Sequence, residues 1–275
     1  MIHIITGYSG PGGSTVALIN LTNALNNAGY LTYMYGKYSW FSKHCKYKFS
    51  AKSLDEFNEY NLSQKDQLIL HFGNFEKRPS HPKRVILCLH EKELYQIPEN
   101  SFWDECIFLN QEHRNYHSNY TGPYRIIPNL RENIKKLPKT SESKECAGVI
   151  GSIDKNKQTH ISIQRALDDG YKKIYLFGKI SDNEVDYAKK FVMPFIEKYP
   201  EQIIYKEFVD NKSEMYAMID AVYLSSISEV SPLLIDECES TDTIFRGNSV
   251  CYHRERSWNN QQILDAWIDV LQLKK

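Results

Sequence analysis

Short β-like runs alternate with amphipathic helical stretches along all 275 residues, and no other feature constrains the fold as strongly. Strands that are apolar throughout, separated by helices, are the pattern of parallel sheets buried on both faces. Strands are predicted at 2–6, 31–35, 67–72, 84–89, 105–109 and 124–127. A helix is predicted over 15–28, with Gly29 ending it as a C-terminal glycine does. The stretch 128–146 holds Pro128 and Pro138 and little hydrophobic periodicity, so it reads as a crossing between domains. The alternation then restarts, with strands at 147–151, 173–177, 202–205, 221–224 and 249–252. Helices fit at 160–168, 184–199, 212–219, 233–238 and 258–271; the last carries Trp258, Ile263, Trp267, Val270 and Leu271 near one face. The expected organisation is two Rossmann-like α/β domains, 1–135 and 146–275, with ligand binding at the carboxyl ends of the strands.

The charge balance refines this picture. Hydrophobic residues make up 41% and charged residues 25%, a folded rather than a disordered composition. The formal net charge is zero, yet residues 1–144 hold 18 Lys and Arg against 13 Asp and Glu, and residues 145–275 hold 16 against 21. From Met1 to Leu54 there are five lysines and no acid, so a neutral total does not exclude a polyanionic partner for the first half. Apolar runs such as Val85-Ile86-Leu87-Cys88-Leu89 fall far short of the ~20 residues of a transmembrane helix. The opening Met1-Ile2-His3-Ile4-Ile5-Thr6-Gly7 lacks the form of a signal peptide. Six scattered cysteines have no metal-ligand or redox spacing, and Cys88 and Cys251 read as small buried strand residues. The expectation is a cytoplasmic protein without disulfides or structural zinc.

Two segments point to chemistry. Gly7-Tyr8-Ser9-Gly10-Pro11-Gly12-Gly13-Ser14-Thr15 lies between a strand and a helix, where backbone N–H groups favour an anion. It is not a Walker loop, since Gly13 stands where the lysine would be, nor a dinucleotide fingerprint, since Thr15 replaces the third glycine. A plain tight turn is the competing reading. The second segment is Ser228-Glu229-Val230-Ser231-Pro232-Leu233-Leu234-Ile235-Asp236-Glu237. It sets Glu229 in a loop and Glu237 inside the helix that follows. Carboxylates so placed can reach opposite ends of one ligand whose phosphates lie on the helix start, and they accept hydrogen bonds from sugar and ribose hydroxyls. Solvated acids on an amphipathic helix are the alternative.

This segment resembles the Glu-x7-Glu motif of retaining glycosyltransferases of the GT-B fold, particularly those of family 4. Other elements are similar and in the same order: Gly12-Gly13; Arg125-Ile126-Ile127-Pro128-Asn129; Gly151-Ser152-Ile153-Asp154-Lys155-Asn156-Lys157; and Tyr205-Lys206-Glu207-Phe208-Val209 followed by Met215-Tyr216 and Ile219-Asp220-Ala221. The resemblance covers most of the chain and is strongest from Gly148 to Glu237. It implies a nucleotide-diphosphate sugar as donor, held by the second domain, and a hydroxyl acceptor held mostly by the first. Carried over, Lys157 neutralises the departing diphosphate, Glu229 binds the transferred sugar and Glu237 the ribose. The backbone at Ser231, Pro232 and Leu233, with Gly151 and Ser152, faces the phosphates, and the stretch around Val209 flanks the base. Gly12 and Gly13 bring the N-terminal loop to the donor phosphate, and His90 faces the reaction centre. No metal or other cofactor is implied, because cationic side chains and helix N–H groups serve the leaving group.

The chain departs from the pattern in two places. Ser152 stands where relatives carry an arginine, with Lys155 or Arg246 as candidate substitutes, and this motivates a non-catalytic nucleotide-sugar-binding protein as an alternative. Glu239-Ser240-Thr241-Asp242-Thr243 replaces the usual Gly-rich turn after the second glutamate. The acceptor half contributes a run of lysines interleaved with aromatics, including Lys37, Trp40, Lys43 and Lys46. Such a surface neutralises phosphates and stacks on flat rings. One acceptor reading is hydroxymethylated pyrimidine in DNA, as in compact phage enzymes of this fold, with the base flipped out. The other is a surface glycan or lipid-linked sugar, the acceptor class of most members of the family that the chain resembles; the small build and the lack of an evident amphipathic membrane helix tip the reading toward DNA.

Overall fold

The structure is a computed structural model describing residues 1–7, 12–36, 40–71, 78–92, 103–252, 255 and 257–273. The chain divides into two compact units, one comprising Met1–Leu130 with Arg254–Lys275 and the other Arg131–His253.

The first unit is built on β1 (Ile2–Thr6), α1 (Gly13–Asn27), β2 (Thr32–Gly36), α2 (Trp40–His44), β3 (Ala51–Ser53), β4 (Gln67–His71), β5 (Arg84–Cys88), β6 (Glu105–Phe108), α3 (Gln111–Tyr116) and β7 (Tyr124–Ile126). Its seven strands form one parallel sheet in the order β3-β2-β1-β4-β5-β6-β7. Alternate residues serve opposite cores. Ile2, Ile4, Met34, Ile69 and Ile86 pack with Leu18, Leu25, Ile263 and Trp267. Ile5, Tyr35, Leu68, Leu70, Val85 and Leu87 pack on the other side with Trp103 and Phe108. Burial on both faces is why these strands read as unbroken apolar runs.

The second unit holds β8 (Cys146–Ile150), α4 (Thr159–Asp168), β9 (Lys173–Phe177), α5 (Val185–Tyr187), α6 (Met193–Lys198), β10 (Ile203–Glu207), α7 (Lys212–Ala217), β11 (Ala221–Leu224), α8 (Leu234–Ser240) and β12 (Ile244–Gly247). Its five parallel strands run in the order β10-β9-β8-β11-β12. A wide π turn at Ala188–Val192 joins α5 to α6, directly before Pro194, which has no N–H to donate to the turn behind it.

Three sequence expectations differ from this architecture. The strand expected at 249–252 is a 3-10 turn, Ser249–Tyr252, and the edge strand is Ile244–Gly247 instead. Its exposure alternates with half-burial, so its apolar signal is weaker than that of Val250-Cys251-Tyr252; Cys251 is buried, but in the turn. The three-residue β3 contains Lys52 and Ser53 and gives no apolar run at all. Finally, the expected second domain, 146–275, includes α9 (Asn260–Val270), whose Ile263, Trp267 and Val270 pack in the core of the first unit. Divided by these units, the charges come to 17 basic against 14 acidic residues and 17 against 20. The asymmetry narrows because the basic stretch after Leu130 belongs to the second unit. Among the described residues no helix is long and apolar enough to cross a membrane.

His113 gives the first unit a pH dependence. It is fully buried, its Nδ1 accepts from the Leu109 N–H at 3.3 Å, and its Nε2 lies 3.2 Å from the Glu91 carbonyl, to which it donates. Burial lowers its pKa from 6.5 to about 4. The unfolded chain therefore takes up this proton first, and folding stability is full above 6.5 and lost as pH falls toward 4. The expected slope from this residue is about 1.4 kcal/mol per pH unit inside that window. Denaturation midpoints measured between pH 7 and 5 check it; a His113→Gln protein with an unchanged slope would refute the assignment.

Candidate functional site

In the second unit two glycines shape the carboxyl end of the sheet. Gly178, just past β9, has φ +152°, and a Cβ there would lie 1.8 Å from the Gly151 carbonyl oxygen. Gly151, just past β8, has φ +134°, and a Cβ there would lie 3.8 Å from the Lys157 stem, an ordinary contact. Both positions demand glycine, one for space and one for conformation. The loop after Gly151 is then tied internally. Asp154 accepts from the Lys157 backbone N–H at 2.7 Å and from the Ser152 hydroxyl.

Asn156 clasps the loop that follows β11. Its carbonyl accepts from the Ile227 N–H at 2.7 Å, its side-chain oxygen accepts from the Ser228 N–H at 3.0 Å, and its amide donates to the Ser228 carbonyl at 3.1 Å. These bonds bring Lys157 against Glu229, 72 residues away in sequence, in a partly buried ion pair. Ser226 donates a further hydrogen bond to Glu229 at 2.6 Å. An ammonium and a carboxylate so held can meet, respectively, an anionic leaving group and sugar hydroxyls.

Glu237 sits on α8 and is buried. Lys212 donates to one of its oxygens at 2.8 Å, and the Tyr216 hydroxyl donates to the other at 2.7 Å. Lys212 and Tyr216 are one turn apart on α7, which is capped by the Asn211 side chain. Glu132 is a second ion-pair partner of Lys212. Of the remaining expected donor residues, Pro232 is buried and Ser231 and Leu233 are half-buried just before α8. Val209 packs against the core containing Met215 and Tyr216.

Neither candidate substitute for the missing guanidinium faces Lys157. Lys155 is paired with Glu184 at 3.5 Å. Arg246 shares a recess with Glu145, Tyr171 and Lys172, residues that precede β8 and β9, at the opposite edge of the sheet.

In the first unit, His90 follows β5 and lines a cavity of about 10 Å³, the size of one water, with Cys88, Asn129 and Trp267. Its Nε2 lies 3.5 Å from the Cys88 sulfur, and its ring centroid is 4.9 Å from that of His71. Burial first, then the neighbouring His71 and His113, hold its pKa well below 6.5, so His90 is a neutral imidazole at pH 7. His71 is hydrogen-bonded to Thr6 at 3.0 Å and lies 3.4 Å from Glu91. Strand ends thus bring Thr6, His71, His90 and Glu91 together, of which the sequence pointed only to His90.

Gly12 precedes α1 in extended conformation, and a Cβ at Gly12 or Gly13 would meet nothing within 4 Å. Lys37 lies outside the described residues, and Trp40 contributes the first residue of α2. Lys43 is exposed on α2. Lys46 and Tyr47 both donate to the Asn27 side chain, at the last residue of α1, hence at the edge of the sheet away from His90. Lys46 and Tyr47 are thereby held away from the strand ends where His90 sits.

No family model matches the chain, and no curated protein matches it. Among solved structures it is similar to Anabaena HepE in complex with UDP-glucose, at 15% identity and a TM-score of 0.75, over 98% of this chain and 90% of that one. It is also similar to a glycosyltransferase from Rickettsia africae, at 12% identity and a TM-score of 0.68, over 98% and 87%. A third is sucrose-phosphate synthase from Thermosynechococcus elongatus, at 13% and 0.67, over 99% and 90%. At such identities the likeness is one of fold: the chain has the two-unit α/β architecture of the GT-B fold.

Proposed function

We propose that the protein is a retaining glycosyltransferase that takes a nucleotide-diphosphate sugar as donor. The observation that carries this reading is the Lys157–Glu229 pair, formed at the carboxyl edge of the second sheet, with the backbone of Gly151 and Ser152 beside it. In a fold shared with HepE, whose structure holds UDP-glucose, that edge suits a diphosphate and a hexose. Lys157 neutralises charge as the nucleotide diphosphate departs, and Glu229 accepts hydrogen bonds from the transferred sugar. Glu237 receives the ribose hydroxyls. In the first unit, neutral His90 can donate or accept a hydrogen bond at the carboxyl ends of its strands. Gly12 and Gly13, open on their Cβ side, leave room for an anion at the start of α1.

The acceptor is a hydroxyl, and a glycan or lipid-linked sugar is the first reading. Lys46 and Tyr47, which argued for DNA, are engaged with Asn27 away from His90. Hydroxymethylated DNA is retained as the second reading because residues 37–52 hold five lysines and no acid, and Phe49 is exposed. The test is incubation with UDP- and GDP-sugars, measuring released nucleotide diphosphate with glycan, with hydroxymethylcytosine DNA and with no acceptor. Turnover that rises with DNA and falls steeply with salt selects the second reading. Nucleotide binding without turnover, even after Ser152→Arg, overturns the enzyme and leaves a binding protein. Glu237→Ala is expected to weaken nucleotide binding at least tenfold, by roughly the worth of hydrogen bonds to a charged group. Lys43→Ala is expected to leave it intact.

A further inference from the structure

Glu237 is 4% exposed, and an isolated carboxylate at such a site is costly. It is held by two donors from one face of α7: the Lys212 ammonium on one oxygen and the Tyr216 hydroxyl on the other. An ionised carboxylate has about four acceptor positions, two on each oxygen. Lys212 and Tyr216 occupy one on each, so one remains on each oxygen, which is what a vicinal diol requires. Lys212 is itself anchored from a second side by Glu132. We propose that Lys212 is a positioning residue for nucleotide recognition: clamped between Glu132 and Glu237, and aided by Tyr216, it fixes the Glu237 carboxylate to receive both ribose hydroxyls of the donor. This inference rests on the donor reading of the site.

Burial works against the Lys212 ammonium, but Glu237 and Glu132 outweigh it and hold its pKa above the ordinary lysine value. Burial and Glu237 push the Tyr216 phenol well above its usual range, so it stays a donor. A purely structural role is the competing account, because neighbouring contacts also tie the 131–139 segment down. Arg131 pairs with Asp236, Lys136 pairs with Asp242, and Lys139 donates to the Tyr216 and Ile219 carbonyls. The two accounts separate on the ligand. If Lys212 acts through the ribose contact, its loss matters only for nucleotides that have ribose hydroxyls.

The experiment titrates wild type, Lys212→Met and Tyr216→Phe with UDP and with 2′,3′-dideoxy-UDP, running GDP and its dideoxy counterpart in parallel. Lys212→Met is expected to lose on the order of tenfold in affinity for the ribonucleotide and little for the dideoxynucleotide. Tyr216→Phe, which removes a single oxygen, is expected to show the same selectivity with a smaller loss. Equal losses for both ligands in both variants would overturn the positioning role. Wild type that binds ribo- and dideoxynucleotide equally would overturn the ribose contact itself, and wild type that binds no nucleotide would overturn the donor reading beneath it.

Discussion

Lys157→Met is expected to lower nucleotide-sugar turnover roughly a hundred- to a thousandfold, the usual cost of removing one group that stabilises transition-state charge. Its partner Glu229 is mostly buried, so the substitution also strands a carboxylate that, among the described residues, keeps only Ser226 as a donor. Stability is therefore expected to fall together with rate. The two effects come apart in the double variant Lys157→Met/Glu229→Gln, where no charge is left unpaired. Its denaturation midpoint is expected to recover most of the loss while its turnover stays low. A double variant that regains turnover along with stability would mean that Lys157 serves only the loop clasped by Asn156.

The largest effect on stability is expected at Gly178. An alanine Cβ there would stand 1.8 Å from backbone, the Gly151 carbonyl oxygen, at φ +152°. Backbone cannot swing aside as a flexible side chain can, and strain and overpacking each cost of order 1–3 kcal/mol. A loss of about 3 kcal/mol or more follows for Gly178→Ala. Gly12→Ala, in extended backbone with open space around it, is expected to stay within about 0.5 kcal/mol of wild type. The readout can be localised. All four tryptophans, Trp40, Trp103, Trp258 and Trp267, belong to the first unit. Indole fluorescence should thus keep its transition while far-UV circular dichroism loses amplitude at lower denaturant. A Gly178→Ala protein with an unmoved dichroism midpoint would contradict the close approach of the two strand ends.

The strands were legible in the sequence wherever both faces are buried. Lys173–Phe177 and Ala221–Leu224 coincide with their apolar runs, and Ile2–Thr6 does as well. Two of the four edge strands were not, because Ala51–Ser53 and Ile244–Gly247 are short, poorly buried and carry a cation, whereas those at Tyr124–Ile126 and Ile203–Glu207 were. Candidate residues that belong to a sequence motif, such as Lys157 and Glu229, could be named in advance, and the fold pairs them. Their supports could not, for a physical reason. Asn156 reaches Ser228, and Lys212 reaches both Glu132 and Glu237, across separations that only the folded sheet closes. His71 looked like one packing histidine among several, and its place beside His90 and Glu91 follows from β4 and β5 being neighbours. The end of the second domain was misplaced because an amphipathic helix announces that it needs a core without announcing which core. Trp267 and Val270 fit either half by pattern, and only packing assigns them to the first.

That assignment bears on how the chain is made. A ribosome delivers residues in order, and leading domains generally condense first. Here the leading unit lacks Ile263, Trp267 and Val270 until all of Arg131–His253 has been synthesised, while that segment emerges as one uninterrupted piece. The later-encoded unit can therefore mature on the nascent chain before the earlier one is able to close. The first sheet waits, with part of its apolar face uncovered, for α9 to arrive. A stop codon just after His253 would spare the second unit and leave the first without the wall that Ile263, Trp267 and Val270 supply.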